Sequence, residues 1–327
     1  MLCIELTKTY EICILKHLSC NTMKKFDRYT LPGHLSMFFA NMIWGVMAPV
    51  AKYVMSQDTV SGFAVTGYRI LGACILFWTA SLFVKREDMP RRDKIRLIGA
   101  SLLAVVFNQG SYVCGVGLTS PIDASVITTV LPIITMVLSA IILKEPITSL
   151  KVLGIALGLS GAIILIWDTG NISGGSNIWG DLLCLSAQFS FAFYAVLFKD
   201  IVGKYSPVTL MKWMFLWASV FSMPFFASDM MAMDYANLDS SVYWGLAHVV
   251  VGGTFIAYFL IPIGQHRLRP TVFVMYNYVQ PVVSASVSVA MGLSTFGWWK
   301  AAAAVLIFTG VFVVTQSKSR AEMEGRS

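Results

Sequence analysis

Residues 121–146 have the sequence PIDASVITTVLPIITMVLSAIILKEP, a long apolar run with Pro132 in its interior. Residues 270–295, PTVFVMYNYVQPVVSASVSVAMGLST, align with it without a gap, and Pro281 takes the place of Pro132. As a helix that rises about 1.5 Å per residue, each run is long enough to cross the ~30 Å hydrocarbon core of a bilayer. The pair indicates a membrane protein with an internal repeat.

The repeat extends beyond these two runs. The apolar run after Gly33 aligns with the run after Gly180, at a slightly different offset. Chance similarity between apolar segments is the alternative, but several polar and small residues also match. These pairs are Lys151 with Lys300, Gly161 with Gly310, Asn41 with Gln188, Ala48 with Ala195 and Lys52 with Lys199.

Ten apolar runs of membrane-spanning length occupy most of the chain. Of the 327 residues, 57% are hydrophobic and 13% are charged, and the mean hydropathy is +0.71. Soluble domains carry about 25% charged residues, so lipid is the expected solvent for most helix exteriors. The sequence therefore predicts an all-α integral membrane protein. The ten predicted transmembrane helices are 35–55, 62–84, 95–117, 122–143, 150–167, 178–198, 207–227, 241–263, 271–292 and 298–316.

Lysine and arginine residues predict the orientation. Twenty of the 24 fall in segments that alternate along the chain and share one side of the membrane, whereas Lys300 alone falls on the other side. The remaining three lie within spans. Because basic residues concentrate in cytoplasmic loops, we expect the N- and C-termini in the cytoplasm and the acidic loop 228–240 outside.

The two copies divide the chain into predicted units. Each copy has five spans. Because this number is odd, the second copy would enter the membrane in the opposite orientation to the first, and such inverted repeats are common in secondary transporters. Residues 1–22 differ in character from the rest, and we expect Met23 to be the natural start, with 1–22 a mis-called extension. The units are an N-terminal extension at 1–33, repeats at 34–168 and 178–317, and a cytoplasmic tail at 318–327.

Several classes of function are disfavoured. The net charge of +7 arises in short loops, so we expect no nucleic-acid partner. The six cysteines have no metal-ligand spacing, and we predict no metal and no cofactor. Motifs of common enzymes and of ATP-driven pumps are missing, so we predict that the protein is not an enzyme.

Polar side chains within the spans predict a substrate cavity. On span nine, Asn277 and Gln280 share one helical face. Polar groups in lipid need partners, so such faces either line a cavity or hold helices together, as most of the Ser and Thr residues are expected to do. The predicted cavity residues are Asn41, Trp44, Asn108, Tyr112, Thr128, Gln188, Tyr194, Asn277 and Gln280.

Arg69 and the two prolines are further candidates. A charge at depth is costly, so Arg69 is expected to bind an anionic substrate group, to pair with Asp58 or Asp123, or to extend outward, and a gating or structural role is favoured. Pro132 and Pro281 each remove a backbone hydrogen bond, and we predict hinges there, with a plain structural kink as the alternative.

Taken together, these residues resemble a known family. Ile43-Trp44-Gly45, Arg69, and the stretch from Pro132 through Leu143-Lys144-Glu145-Pro146 to Gly154 are similar to the pattern of EamA-type proteins of the drug/metabolite transporter superfamily. The resemblance implies a central cavity and export of metabolites such as amino acids. The second repeat lacks the counterpart of Glu145, which we group with Arg69 as a charged gating residue and expect to cap the fifth helix.

The predicted function is that of a secondary transporter that exports small metabolites across the cytoplasmic, or inner, membrane by alternating access. The partners expected are a small-molecule substrate and the lipid bilayer. The glycine face that includes Gly154 and Gly161 predicts close helix packing, either within the chain or in a homodimer. The alternative function is a non-transporting membrane receptor or assembly protein with the same fold. The sequence does not identify the substrate or the coupling ion.

Overall fold

A computed structural model describes residues 30–55, 60–118, 127–169, 178–290 and 298–317. These residues form helices and no β-strand. Helices α3, α8 and α9 each consist of three consecutive segments, of which the middle one is a π-helix in α3 and α8 and a 3₁₀-helix in α9. The helices are α1 (Leu31–Met55), α2 (Gly62–Ala80), α3 (Arg91–Ser101, Leu102–Phe107, Asn108–Leu118), α4 (Leu131–Ile142), α5 (Ser149–Thr169), α6 (Ile178–Leu197), α7 (Pro207–Met231), α8 (Ser240–Ala247, His248–Ile256, Ala257–Arg267), α9 (Pro270–Met275, Tyr276–Tyr278, Val279–Ala290) and α10 (Trp298–Thr315).

Helix length and surface chemistry identify a membrane protein. Within the described residues α2, α6, α7 and α8 are long and apolar enough to cross a bilayer. Large apolar side chains such as Ile75, Phe225 and Trp298 are exposed on the outside of the bundle. Such a surface is stable where lipid is the solvent. The count of ten spans and the cytoplasmic position of both termini stay predictions.

The helices pack in a pattern that is the same for both halves of the chain. Helix α2 packs against α7, and α5 packs against α10. The contact of α1 with α8 has a counterpart in the contact of α6 with α3. Likewise, the contact of α1 with α9 has a counterpart in that of α6 with α4. Each helix of one half therefore makes its main contacts with helices of the other half.

Glycines allow α5 and α10 to approach closely. A Cβ atom added at Gly154 would lie 2.7 Å from the carbonyl oxygen of Gly310, and one added at Gly310 would lie 2.5 Å from that of Gly154. Any larger residue there would push the backbones apart. Gly161 meets the carbonyl oxygen of Ala303 in the same way. The predicted small-residue face thus packs within the chain, while a homodimer remains a prediction.

Several predicted helix ends differ from the structure: α1 begins at Leu31 rather than 35, α3 begins at Arg91 rather than 95, and α8 ends at Arg267 rather than 263. Helix α2 ends at Ala80 rather than at 84. The apolar residues Leu82 and Phe83 extended the predicted span, but in the structure they lie in the turn beyond the helix and are exposed. Helix α7 continues to Met231 rather than ending at 227, and Asp229 in its last turn accepts a hydrogen bond from Ser61 at the start of α2. The predicted outer loop 228–240 is correspondingly shorter.

Both repeat prolines follow a break in their helix. Pro132 is the second residue of α4, directly after a turn at Thr129 and Val130, so it is not in a helix interior. Pro281 is the third residue of the last segment of α9 and follows the 3₁₀ turn. Proline has no backbone N–H. In the first turn of a helical segment that N–H would have no hydrogen-bond partner within the helix, so both positions tolerate proline.

Candidate functional site

The middle of the bundle contains two π-helical segments in equivalent positions. Leu102 opens the segment in α3 and His248 opens the one in α8. Ten residues after each start lies a tyrosine, Tyr112 in α3 and Tyr258 in α8. A π-helix widens the helical turn, and such segments are frequent at functional sites.

Arg69 of α2 binds to the π segment of α8. The Nε atom of Arg69 donates a hydrogen bond to Oγ1 of Thr254 (3.0 Å), and this hydroxyl donates to the carbonyl oxygen of Val249 (2.9 Å). The hydroxyls of Tyr258 and Tyr112 lie near enough to interact with the guanidinium charge. In the described part of the chain no carboxylate pairs with Arg69. The carboxylates predicted from the sequence, Asp58 and Asp123, lie outside the described residues.

Tyr258 connects three helices. Its hydroxyl accepts a hydrogen bond from Nε2 of Gln109 (2.7 Å), and its ring lies edge-on to that of Trp44, with 5.8 Å between centroids. Trp44 in turn donates from Nε1 to the carbonyl oxygen of Gly253 (2.8 Å) in the π segment. We call Arg69, Gln109, Tyr112, Thr254 and Tyr258 the arginine cluster.

Some predicted cavity residues instead connect helices. Oδ1 of the fully buried Asn41 accepts a hydrogen bond from Nε2 of Gln280 (2.8 Å), which joins α1 to α9. Nδ2 of Asn108 donates to the carbonyl oxygen of Ala187 (2.9 Å), which joins α3 to α6. For these residues the geometry favours the alternative that they hold helices together.

Other predicted cavity residues have polar atoms that form no hydrogen bond within the described residues. Gln188 and Asn277 make no side-chain hydrogen bond within the described residues. Tyr194 is 1% exposed, and its buried hydroxyl has no partner there. Oε1 of Gln109 is likewise buried without a described partner. Buried polar groups are normally hydrogen-bonded, so unpaired ones favour a ligand or water in the native site.

Glu145 lies in an ion-pair group at the end of the bundle that carries most basic loops. Its carboxylate binds Nζ of Lys151 at 3.0 Å, and Lys151 is 1% exposed. The same ammonium donates to the carbonyl oxygen of Pro146 (3.0 Å). Burial lowers the pKa of Lys199. The negative charge of Glu145 acts on this ammonium in the opposite direction.

The expectation that Glu145 caps the fifth helix is wrong. The hydroxyl of Thr148 accepts from the backbone N–H of Lys151 (3.3 Å) at the start of α5. Lys144 has a φ of 53°, and the N–H of Glu145 bonds back to the carbonyl of Ser139 (3.2 Å). This left-handed turn ends α4 and aims the carboxylate at Lys151 instead.

Gln109 and Tyr258 are site residues that the sequence analysis missed. Gln109 adjoins Asn108 in the middle of a predicted span, which was an available signal, because an amide at that depth needs a partner. No sequence signal marked Tyr258. Within the described ranges no group of His, Cys, Asp and Glu side chains could hold a metal ion.

Comparison with known proteins identifies the family. The profile of the EamA-like transporter family matches residues 31–167 and again residues 178–316. The chain belongs to the EamA-like transporter family. As a member of that family it is a membrane transporter, and the resemblance in its sequence is confirmed. The two matches fall close to the predicted repeats, although their inverted orientation stays a prediction.

Relatives of this transporter occur in archaea, bacteria and plants. It is 26% identical over 280 residues to an "Uncharacterized transporter" of Archaeoglobus fulgidus, which covers 84% of this chain and 95% of that protein. It is 28% identical over 292 residues to the "Uncharacterized inner membrane transporter YedA" of Escherichia coli K12, with 88% and 92% covered. A solved crystal structure with 19% identity has a TM-score of 0.70 and covers 87% of this chain and 98% of its own, which indicates a shared fold.

Proposed function

We propose that the protein is a secondary transporter that exports small polar metabolites, amino acids among them, across the cytoplasmic membrane by alternating access. The observation that carries this proposal is the arginine cluster. Arg69 brings a positive charge into the bundle without a described carboxylate to neutralise it. A substrate with a carboxylate or another anionic group is the natural counter-charge.

The unpaired polar atoms extend the same argument. The amides of Gln188 and Asn277 and the hydroxyl of Tyr194 have hydrogen-bonding capacity that the described residues do not use. Such groups suit the ammonium and hydroxyl groups of metabolites. A site with one cation and several neutral polar groups favours zwitterions and small polar anions over purely apolar compounds.

Alternating access is supported by breaks at matched positions of α4 and α9. Each helix is interrupted just before its proline, and interrupted helices of this kind shape substrate sites in secondary transporters. At the end of the bundle with the basic loops, Arg96 forms a double hydrogen bond with Asp200 (3.0 and 3.1 Å), and Lys151 pairs with Glu145. Opening that end would have to separate Arg96 from Asp200, because this contact joins α3 to the segment after α6.

The resemblance of the sequence supports export, and the relatives' names support the cytoplasmic membrane. YedA and YicL are named inner membrane transporters. No Asp or Glu lies at the middle of any predicted span, which favours facilitated diffusion over proton coupling. His248 is the alternative coupling group, since its Nε2 is buried without a partner among the described residues.

A counterflow screen tests this function. Purified protein in liposomes is loaded in turn with pooled amino acids, sugars and nucleosides, and uptake of the labelled pool is measured against protein-free liposomes. We expect exchange of at least one amino-acid pool. If no pool exchanges while a ligand still raises the melting temperature, the alternative of a non-transporting receptor is favoured. The variant Tyr53→Phe serves as the control, because it removes a hydroxyl whose hydrogen bond to Ser241 is exposed to solvent and lies outside the arginine cluster.

A further inference from the structure

A pocket of about 260 Å³, lined by both charged and aromatic side chains, lies where α2, α3 and α7 meet at the end of the bundle with the basic loops. Its walls include Trp78, Arg86, Glu87, Lys94 and Trp213, with Lys212 beside them. We call it the two-tryptophan pocket. It shares no residue with the arginine cluster, and the proposed transport step does not use it.

Each of two ammonium groups in the pocket lies over one of its two indole rings. The rings of Trp78 and Trp213 are 5.6 Å apart between centroids and meet edge to face at 73°. Nζ of Lys94 lies 4.4 Å from the centre of the Trp213 ring, and Nζ of Lys212 lies 5.4 Å from that of Trp78. Cation–π contacts hold an ammonium in place without neutralising its charge.

The charge of the pocket is positive. Arg86, Lys94 and Lys212 form no salt bridge with any carboxylate in the described part of the chain. Of the two acidic residues in the wall, Glu87 accepts hydrogen bonds from the backbone N–H and the hydroxyl of Ser206 (3.0 Å each) at the start of α7. Asp88 is exposed to solvent. By formal charge the three cations outnumber the two carboxylates, so the wall of the pocket has a net positive charge.

The chain segment that leads from α2 to the pocket wall carries exposed apolar side chains. Leu82 is 79% exposed and Phe83 is 85% exposed, and both lie between the end of α2 and Arg86. Two adjacent large apolar side chains on a polar loop are unfavourable in water but stable at the edge of the hydrocarbon layer. Tryptophan is enriched at the same depth. Exposed apolar side chains beside tryptophans are the pattern expected at the depth where acyl chains meet headgroups.

We propose that the two-tryptophan pocket binds the headgroup phosphate of an anionic phospholipid in the adjacent leaflet. Lys94, Lys212 and Arg86 face the phosphate, and the acyl chains lie along Leu82 and Phe83. The lipid would then connect α2, α3 and α7 at one end of the bundle. A free phosphate satisfies the cations equally well but leaves the exposed Leu82 and Phe83 uncovered, so these two side chains favour the lipid.

The test measures lipid binding by the purified full-length protein. Binding of dioleoylphosphatidylglycerol is measured by native mass spectrometry and by the shift in melting temperature, in parallel with dioleoylphosphatidylcholine and with inorganic phosphate. The variants are Lys94→Gln with Lys212→Gln, and Arg86→Gln alone, because Arg86 is exposed and forms no salt bridge within the ranges that the structure describes. The matched control is Arg91→Gln with Arg92→Gln, which removes two exposed charges nearby but outside the pocket.

We expect phosphatidylglycerol to bind more tightly than phosphatidylcholine. Its affinity should fall about 5-fold in Arg86→Gln and about 30-fold in the double lysine variant, and it should fall less in the control. Equal losses in pocket and control variants would overturn the proposal, because they indicate attraction by net charge alone. A shift in melting temperature with inorganic phosphate as large as that with phosphatidylglycerol would overturn the proposal that the pocket binds a lipid.

Discussion

The hydroxyl of Tyr278 donates a hydrogen bond of 2.9 Å to the backbone carbonyl of Thr129, and the two residues occupy the same position in the two copies of the repeat, 149 residues apart. Thr129 lies in the turn before α4, and Tyr278 ends the 3₁₀ turn of α9. The bond therefore joins the break of one helix to the break of the other.

Replacing Tyr278 by Phe should destabilise the protein by ~1 kcal/mol, because a buried hydrogen bond is lost while the ring is kept. Melting in detergent measures this loss, and counterflow measures transport. We expect the transport rate to change more than the substrate affinity, because the bond connects the two breaks. Tyr53→Phe removes a hydroxyl whose hydrogen bond to Ser241 (2.9 Å) is exposed to solvent, so both quantities should change less than in Tyr278→Phe. An unchanged melting temperature in Tyr278→Phe would contradict the importance of this bond.

The role of Arg69 is tested by removing its charge. In Arg69→Met we expect transport to fall by at least tenfold with no loss of stability, because a charge within the membrane that has no carboxylate partner among the described residues is itself unfavourable. Thr254→Val removes only the hydroxyl that accepts from Nε and should have a smaller effect. Counterflow and melting are measured for both variants. A large fall in melting temperature with unchanged substrate affinity would instead assign Arg69 a structural role.

The amide side chains divide into two groups with different expected outcomes. Gln188→Ala and Asn277→Ala should weaken substrate affinity about 2–10-fold with little change in melting, because these amides lack partners among the described residues. Asn41→Ala and Gln280→Ala should lower the melting temperature, because they break the bond between α1 and α9. Ligand-induced melting shifts measure both effects. If all four variants lose stability without losing affinity, the cavity assignment of Gln188 and Asn277 is wrong.

The Glu145–Lys151 pair predicts an asymmetric double-mutant result. Glu145→Gln leaves the buried ammonium of Lys151 without its counter-charge and should cost about 3–5 kcal/mol of stability. Lys151→Met in the same chain should restore most of that loss, since no unpaired charge then remains. Denaturant unfolding in detergent gives the four free energies. Additive effects would show that the two side chains do not interact in the native protein.

Glu87 predicts a pH dependence at the start of α7. Burial alone raises its pKa, but hydrogen bonds from Ser206 and Thr209 and the charge of Lys212 outweigh burial and lower the pKa below its ordinary value of 4.5. A lowered pKa means that the stability contributed by the carboxylate is present above pH 4.5 and is lost as the pH falls below that value. Glu87→Gln should therefore reduce the acid-dependent fall in melting temperature, measured from pH 6 to pH 3. A fall as steep as in the wild type would contradict this role.

Much of the fold could be predicted from the sequence, because lipid makes span length and hydropathy decisive. The run at 178–198 corresponds to α6 at Ile178–Leu197, and the run at 298–316 to α10 at Trp298–Thr315. Prediction was weaker at ends such as that of α2. There the apolar Leu82 and Phe83 extend the hydropathy signal beyond the last helical turn.

The candidate site could be predicted less well, because side-chain pairing depends on tertiary contacts. Depth in the membrane identified Arg69 and Asn41 as polar groups that need partners, but it did not reveal those partners, Thr254 and Gln280. The π segments have no sequence signature, since they arise where neighbouring helices accommodate a wider turn. Tyr258 was missed for that reason.

The pairing of each helix with one from the other half has a consequence for biogenesis. A ribosome delivers α1 to α5 to the membrane before α6 to α10 exist, yet α1, α2, α3 and α5 find their main contacts on α8, α7, α6 and α10. The helices of the first half are therefore synthesised before the helices that they pack against. The nascent first half must persist in the bilayer with its inward faces covered by lipid or by an insertion factor, so a ribosome that stalls midway leaves a product that quality-control proteases can recognise.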